Sequence, residues 1–354
     1  DEEAIIFCNG DNDTFPLWYN LEVEQERDDV RACNLSYLQT DWYISQMKRP
    51  YYNSPGLPIS WEEKDYMPGK NEVVWVENRL NAPLEVKKAF QFLHSDDPRT
   101  KRDGEGYIPS DQLYVLSPDS QKIMFKKARR FTRSEMMVME MLSTNEWQRP
   151  MYFAVTIGND YHLGLDPYLE LTGLAYRITP ERSADGRPRV NTEVMYENML
   201  HKFKYGNMNV PGIYIDENTM RMCRTHRMMF MELAEALYNE GKHDKCLEVL
   251  DFAEEMLPGY NIPYDYTSAT MASYYYRLGE MDKANAVMTQ IADNCAEYMV
   301  WGASLPKEQR ASSQSTLGHQ MAVLGYVLQN FERYEQKELF NYYYDIYAQY
   351  ASMR

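Results

Sequence analysis

Apolar positions along this chain follow two rhythms. The first part carries short unbroken apolar runs. AIIFCN (4–9) is one, as expected of a strand buried on both faces. A polar turn, NGDNDT, follows it. Then Phe15, Trp18, Tyr19, Leu21 and Val23 give one partly apolar face, which predicts a helix capped by Asp13 or Thr14 with Pro16 in its first turn. VRACNLSYL (30–38) predicts a second strand, and Thr40 or Asp41 can cap a helix over DWYISQMK. Together these segments read as a βαβ unit, for which parallel strands and a right-handed crossover are expected.

Residues 50–130 are rich in proline, glycine and charge. NEVVWVE (71–77) and QKIMFKK (121–127) predict strands, LEVKKAFQFLHS (84–95) a helix, and SDDPRTKRDGEG (95–106) a mobile surface loop. A helix over 132–148 and a buried strand over RPMYFAVTIGND (149–160) resume the α/β alternation. LELTGLAYRITP (169–180) predicts one strand, and NTEVMYENMLHKF (191–203) a helix capped by Asn191 or Thr192.

From about residue 217 the spacing is helical throughout. Leu233, Ala234 and Leu237 precede Gly241, and Cys246, Leu250, Ala253 and Pro258 follow it. Met271, Ala272 and Tyr275 precede Gly279, and Ala284, Met288 and Ile291 follow. A turn glycine with a small residue five positions later matches the tetratricopeptide helical hairpin. The two glycines lie 38 residues apart. That exceeds the family period of about 34, so NIPYDY (261–266) lengthens the link. A third hairpin is expected within 314–350. The expected architecture is therefore α/β followed by all-α. A Rossmann-like, mainly parallel sheet domain occupies 1–215, and a tetratricopeptide-like helical domain occupies 216–354.

Composition narrows the function classes. A net charge of −16 argues against nucleic acid as the main partner, because no global positive field exists to displace counterions. The basic run KKARRFTR (126–133) reads first as a solvated face and second as an anion or membrane-surface patch. No run approaches the ~20 apolar residues that span a bilayer. The five cysteines, Cys8, Cys33, Cys223, Cys246 and Cys295, show no metal or disulfide spacing and read as buried free thiols. Thirty tyrosines and six tryptophans supply rings with apolar bodies and polar tips, suited to cores, interfaces and sugar-facing surfaces.

In an open parallel sheet, ligands sit beyond the carboxyl ends of the strands. Asp11, Asn12 and Asp13 follow the first strand. Asn34, Ser36 and Asp41 lie near the end of the second, and Asn159 and Asp160 follow the strand near 155. If those strands are neighbours, the polar ends share one rim. It offers hard oxygen ligands for a divalent cation, or hydrogen bonds for sugar hydroxyls with Trp18, Tyr19 or Trp42 as a stacking face. Asp and Asn also cap helices and close tight turns, which accounts for each residue taken singly. His162, the histidine closest to this rim, reads as a solvent-facing loop residue. GDND lacks phosphate-loop and EF-hand spacing, and HExxH, GxSxG and CxxC do not occur. No cofactor, metal site or catalytic residue is therefore assigned.

Three segments carry a family resemblance: NGDNDTFPLWYNLEVEQERDDVRACNLSYLQTDWYISQM (9–47), EWQRPMYFAVTIGNDYHLGLDPYLELTGLAYRI (146–178) and ENTMRMCRTHRM (217–228). They resemble the soluble C-terminal region of a family of multi-spanning membrane proteins abundant in Bacteroidetes. The membrane part of that family is similar to GT-C glycosyltransferases, including protein O-mannosyltransferases. The resemblance implies a membrane-spanning part upstream in the same polypeptide and a place on the periplasmic face of the inner membrane. It also implies that the catalytic acid and the lipid-linked donor lie in the membrane part. This chain would then assist a polypeptide or glycan acceptor, and the alternative is a tetratricopeptide-type interaction scaffold of the cell envelope.

Overall fold

The apolar run at the start of the chain becomes an inner strand of a six-stranded sheet, one place from its edge. In the computed structural model, which describes residues 1–351, the sheet consists of β1 (Ile5–Cys8), β2 (Arg31–Asn34), β3 (Met151–Ala154), β4 (Leu169–Leu171), β5 (Ala175–Ile178) and β6 (Arg189–Val190). Their order is β6-β4-β5-β3-β1-β2. β2, β1 and β3 are adjacent and parallel, with Phe7 opposite both Cys33 and Phe153. The expected mainly parallel sheet is instead mixed, because β5 runs antiparallel to both β3 and β4. The single strand expected over 169–180 is a hairpin. Gly173, at φ 139°, reverses the chain in the middle of that run.

Helices α1 (Asp11–Glu22), α2 (Asp41–Met47), α3 (Val86–His94) and α4 (Arg133–Asn145) accompany the sheet. α4 starts on a capping box. The Glu135 amide donates to Thr132 Oγ1, and the Thr132 amide donates to the Glu135 carboxylate. Its methionines 136, 137, 139 and 141 are all buried in the core with Ile5, Phe7, Leu38 and Phe153. Arg133, the last residue of the basic run, is buried rather than solvated. Its guanidinium donates to the carbonyls of Gln39, Met67 and Lys70, so it ties distant turns together.

Between α2 and α4 the chain folds into small accessory sheets. Val73–Trp75 pairs antiparallel with Arg130–Thr132, and Leu84–Glu85, Leu113–Leu116 and Lys122–Met124 form a three-stranded sheet. The segment expected to be a mobile loop holds a short hairpin, Lys101–Arg102 with Glu105–Gly106. Asp103 and Gly104 both take positive φ at its tip, the backbone that a tight two-residue turn requires.

Asp1–Asn191 form one unit and the chain from Thr192 onward another, so residues 192–215 group with the helices. The second unit contains α5 (Glu217–Asn239), α6 (His243–Met256), α7 (Tyr266–Leu278), α8 (Met281–Ser304), α9 (Gln314–Arg333) and α10 (Lys337–Ala351). They pack as three successive helix pairs. Gly241 and Gly279, at φ 74° and 87°, make the turns inside the first two pairs, and Cys246 and Ala284 are fully buried five residues later. All five cysteines are buried and free. Among the described residues, no helix is long and apolar enough to cross a membrane.

Burial holds the His226 imidazole on α5 below its ordinary pKa, and its Nδ1 has no hydrogen-bond partner. The unfolded chain therefore takes up this proton first on acidification. The contribution is intact above pH ~6.5 and is lost as pH falls below that value. At pH 5.5 the loss from one such group is at most about 1.4 kcal/mol. Urea unfolding at pH 7.5 and 5.5 is expected to show this loss, and His226→Gln to reduce it. An identical pH dependence in the variant would refute the assignment.

Candidate functional site

β2, β1 and β3 send their carboxyl ends toward one edge, and hydrogen bonds join the three turns that follow. The Thr156 hydroxyl, after β3, donates to Asp13 at the start of α1. Ser36 Oγ, after β2, donates to Asn9 Oδ1 after β1 at 2.6 Å. Asn34 Nδ2 donates to Thr14 Oγ1 at 2.7 Å, and Asn34 Oδ1 accepts from the Tyr37 amide at 2.9 Å. The rim anticipated from strand order thus exists around Asp13, Asn34, Ser36 and Thr156.

Several of its residues have structural partners. Gly10, at φ 88°, turns the chain so sharply that α1 begins at Asp11, before the expected caps Asp13 and Thr14. GDND is therefore largely a first helical turn, and Pro16 falls in the second turn. Asp11 and Asp13 complement the positive end of α1. Asp11 and Asn12 are exposed. Thr14 is buried, and its hydroxyl donates to the Gly10 carbonyl. Asn34 is buried with its amide engaged at both ends, so it fastens β2 to α1 and is closed to a ligand. Asp41 opens α2 within electrostatic reach of Arg133. Asn159 and Asp160 are exposed in a short 3-10 turn, where Lys126 Nζ holds the Asp160 carbonyl. Among the described residues, no hydrogen bond joins the side chains of Asn159 and Asp160 to the rest of the rim. His162 is buried rather than solvent-facing. It packs on Phe153 and Tyr176, with Nδ1 2.9 Å from Asp166.

Among the described residues, no group of three or more His, Cys, Asp or Glu side chains gathers to hold a metal ion. The Cys8 thiol faces Thr14 at the rim's base, and burial pushes its pKa up to about 11. At neutral pH it is a protonated packing group and not a nucleophile.

What the rim does present is a row of aromatic rings. Phe15 contacts Trp18 edge-on at 5.8 Å, Trp18 stacks on Tyr37 at 6.1 Å, and Tyr37 meets Trp42 at 6.0 Å. Phe15 is 51% exposed and Trp42 54%, with Tyr19 alongside at 53%. Helical spacing places Phe15, Trp18 and Tyr19 on one side of α1, and the 3-10 turn Tyr37–Gln39 brings Tyr37 between Trp18 and Trp42. Phe15 and Tyr37 were not expected from the sequence. The i, i+3 spacing of Phe15 and Trp18 was the available signal. Such rings offer flat apolar faces with polar groups nearby.

A family model described as TMEM260-associated domain 2 matches residues 1–128 and 116–194. The match covers the whole sheet-containing unit, including the rim. No curated protein and no solved structure matches the chain.

Proposed function

The chain belongs to the TMEM260-associated domain 2 family, and from that membership we propose that it is the extracytoplasmic domain of a membrane-embedded, GT-C-like glycosyltransferase resembling protein O-mannosyltransferases. In this reading it stands on the periplasmic face of the inner membrane, joined to a membrane-spanning part of the same polypeptide. It receives the acceptor, a polypeptide or a glycan, and leaves the chemistry to the membrane part. The observation that carries the reading is the exposed aromatic row on the rim where α/β sheets place their ligands. Asp11 and Asn12, exposed at its edge, add hydrogen-bonding capacity.

The parallel β2-β1-β3 core supports a Rossmann-like relationship. Gly241 and Gly279, with their buried small residues five positions on, support a tetratricopeptide-like one. A second reading, an interaction scaffold, is favoured by a cavity of about 480 Å³ in the helical unit, lined by Met299, Ala303, Leu317, Met321 and Tyr350.

Phe15→Ala combined with Trp42→Ala tests the first reading in the longer protein. Exposed aromatic anchors of this kind are worth about 1–3 kcal/mol, so acceptor use is expected to fall about 10- to 100-fold. Stability should change little, because both rings are half-exposed. Unaltered transfer with unaltered folding would refute the rim as acceptor site, and partner capture that ignores the rim would favour the scaffold. An upstream sequence without membrane spans would remove the transferase reading altogether.

A further inference from the structure

The cavity of the helical unit lies between the end of α8, the short helix Lys307–Ser312, the start of α9 and the end of α10. Small residues open it: Gly302 and Ala303 on α8, Ala311 on the short helix and Gly318 on α9. Met299, Leu317 and Met321 form apolar walls, and the two unbranched thioethers adapt to guests of varied shape. Its volume of about 480 Å³ lies within the ~300–1,000 Å³ of small-molecule sites.

Two cations line this apolar space. Arg310 is fixed by the end of α8. Its Nε donates to the Gly302 carbonyl at 3.2 Å, and its Nη2 to those of Ala303 and Leu305 at 2.8 and 3.2 Å. Lys307 is exposed and makes no hydrogen bond or ion pair among the described residues. The chain holds 53 Asp and Glu residues, yet among the described residues none lines the cavity. Glu308, next to Lys307, is exposed and lies outside the lining. An anion therefore meets positive charge here, in a chain whose net charge of −16 repels it elsewhere.

The walls narrow the choice of anion. Gln314 and Tyr350 are the uncharged polar side chains of the described lining. A polypeptide or a sugar inside it would leave most of its amides or hydroxyls unpaired, at a cost for each. A hydrocarbon chain needs no hydrogen bonds and gains from every methylene it buries. A carboxylate at its end pairs with the free ammonium of Lys307. We propose that this cavity binds a linear fatty carboxylate, with the chain among Met299, Leu317 and Met321 and the head at Lys307, where Arg310 adds a second positive charge. The proposal concerns binding alone and rests on neither reading of function. A partner's apolar side chain in the same space, as the scaffold reading would have it, is the competing occupant.

Calorimetry on the whole chain tests it with hexanoate, octanoate and decanoate below their micellar concentrations. Decanoate is expected to bind with a Kd of about 10–100 μM, and each added methylene to tighten binding about fourfold. Decanol, which keeps the chain and loses the charge, should bind about fivefold more weakly, and decyltrimethylammonium more weakly still. Ala311→Phe fills the cavity from an exposed position and should weaken decanoate about tenfold or more. Lys307→Glu should weaken decanoate about tenfold and leave decanol within about twofold, both at unchanged melting temperature. Lys337→Glu makes the same charge change at an exposed site on α10 outside the cavity and should leave decanoate within about twofold. Absence of decanoate binding, affinity independent of chain length, or binding that survives both cavity variants overturns the proposal. Equal affinity for decanol overturns it in favour of a purely apolar occupant. Each of these results leaves the rim and its acceptor test untouched.

Discussion

Replacing Arg227 by methionine is expected to destabilise the helical unit by about 3–5 kcal/mol, the largest effect of any single substitution considered for that unit. Arg227 sits on α5, is 2% exposed, and reaches the loop between α6 and α7. Its Nη2 donates to the carbonyls of Leu257 and Ile262 at 2.8 Å each, and its Nη1 to that of Pro263 at 3.0 Å. The guanidinium also lies 5.3 Å from the Tyr264 ring centre. Methionine fills most of the space but supplies none of those donors, so three carbonyls lose their partners. Arg227→Lys keeps the charge and should recover only part of the loss, because one ammonium cannot reproduce the planar fork. For a unit of this size each kcal/mol lowers the melting temperature by about 2–4 °C, so methionine should shift it by about 6–20 °C. A melting curve displaced by less than about 3 °C would show that the loop holds itself.

Phe153→Ala is expected to cost about 3–5 kcal/mol in the sheet-containing unit. Phe153 is fully buried on β3, paired in register with Phe7 of β1. Its ring lies 5.3 Å from Phe7 and 5.2 Å from His162. Removing it opens a cavity between the two strands whose carboxyl ends make the rim. Phe153→Leu retains most of the volume and should cost less than about 1.5 kcal/mol. Urea denaturation followed by near-ultraviolet circular dichroism checks both values. Equal midpoints for the alanine and leucine variants would mean that the cavity collapses and that shape at this position does not matter. Ligand binding at the rim should follow the folded fraction in both variants, because Phe153 does not reach the surface.

These effects separate the two roles of the first unit. Its interior residues decide whether the rim exists, and its half-exposed aromatic rings decide what the rim holds.

Much of this organisation was legible residue by residue. The AIIFCN run predicted a doubly buried strand, and β1 is an inner strand flanked on both sides. Gly241 and Gly279 marked their turns, and the cysteines lie buried where their apolar neighbours placed them. Such features follow from local rules: alternation, helical period and the few residues that accept positive φ. Other features depend on partners far along the chain, to which local pattern is blind. GDND looked like an acidic loop until Gly10 and the buried Thr14 drew it into a helix. His162 looked solvent-facing until β3 and β5 closed around it, and Arg133 belonged to a basic run until carbonyls from as far back as Gln39 claimed it. The aromatic row joins rings from two separate segments, and the mixed sheet arises where β5 returns along β3. Periodicity tells each segment which face to bury. Which segments then meet is decided by packing across the whole unit, because contacts between distant residues form only when the burial they complete outweighs the entropy of bringing them together.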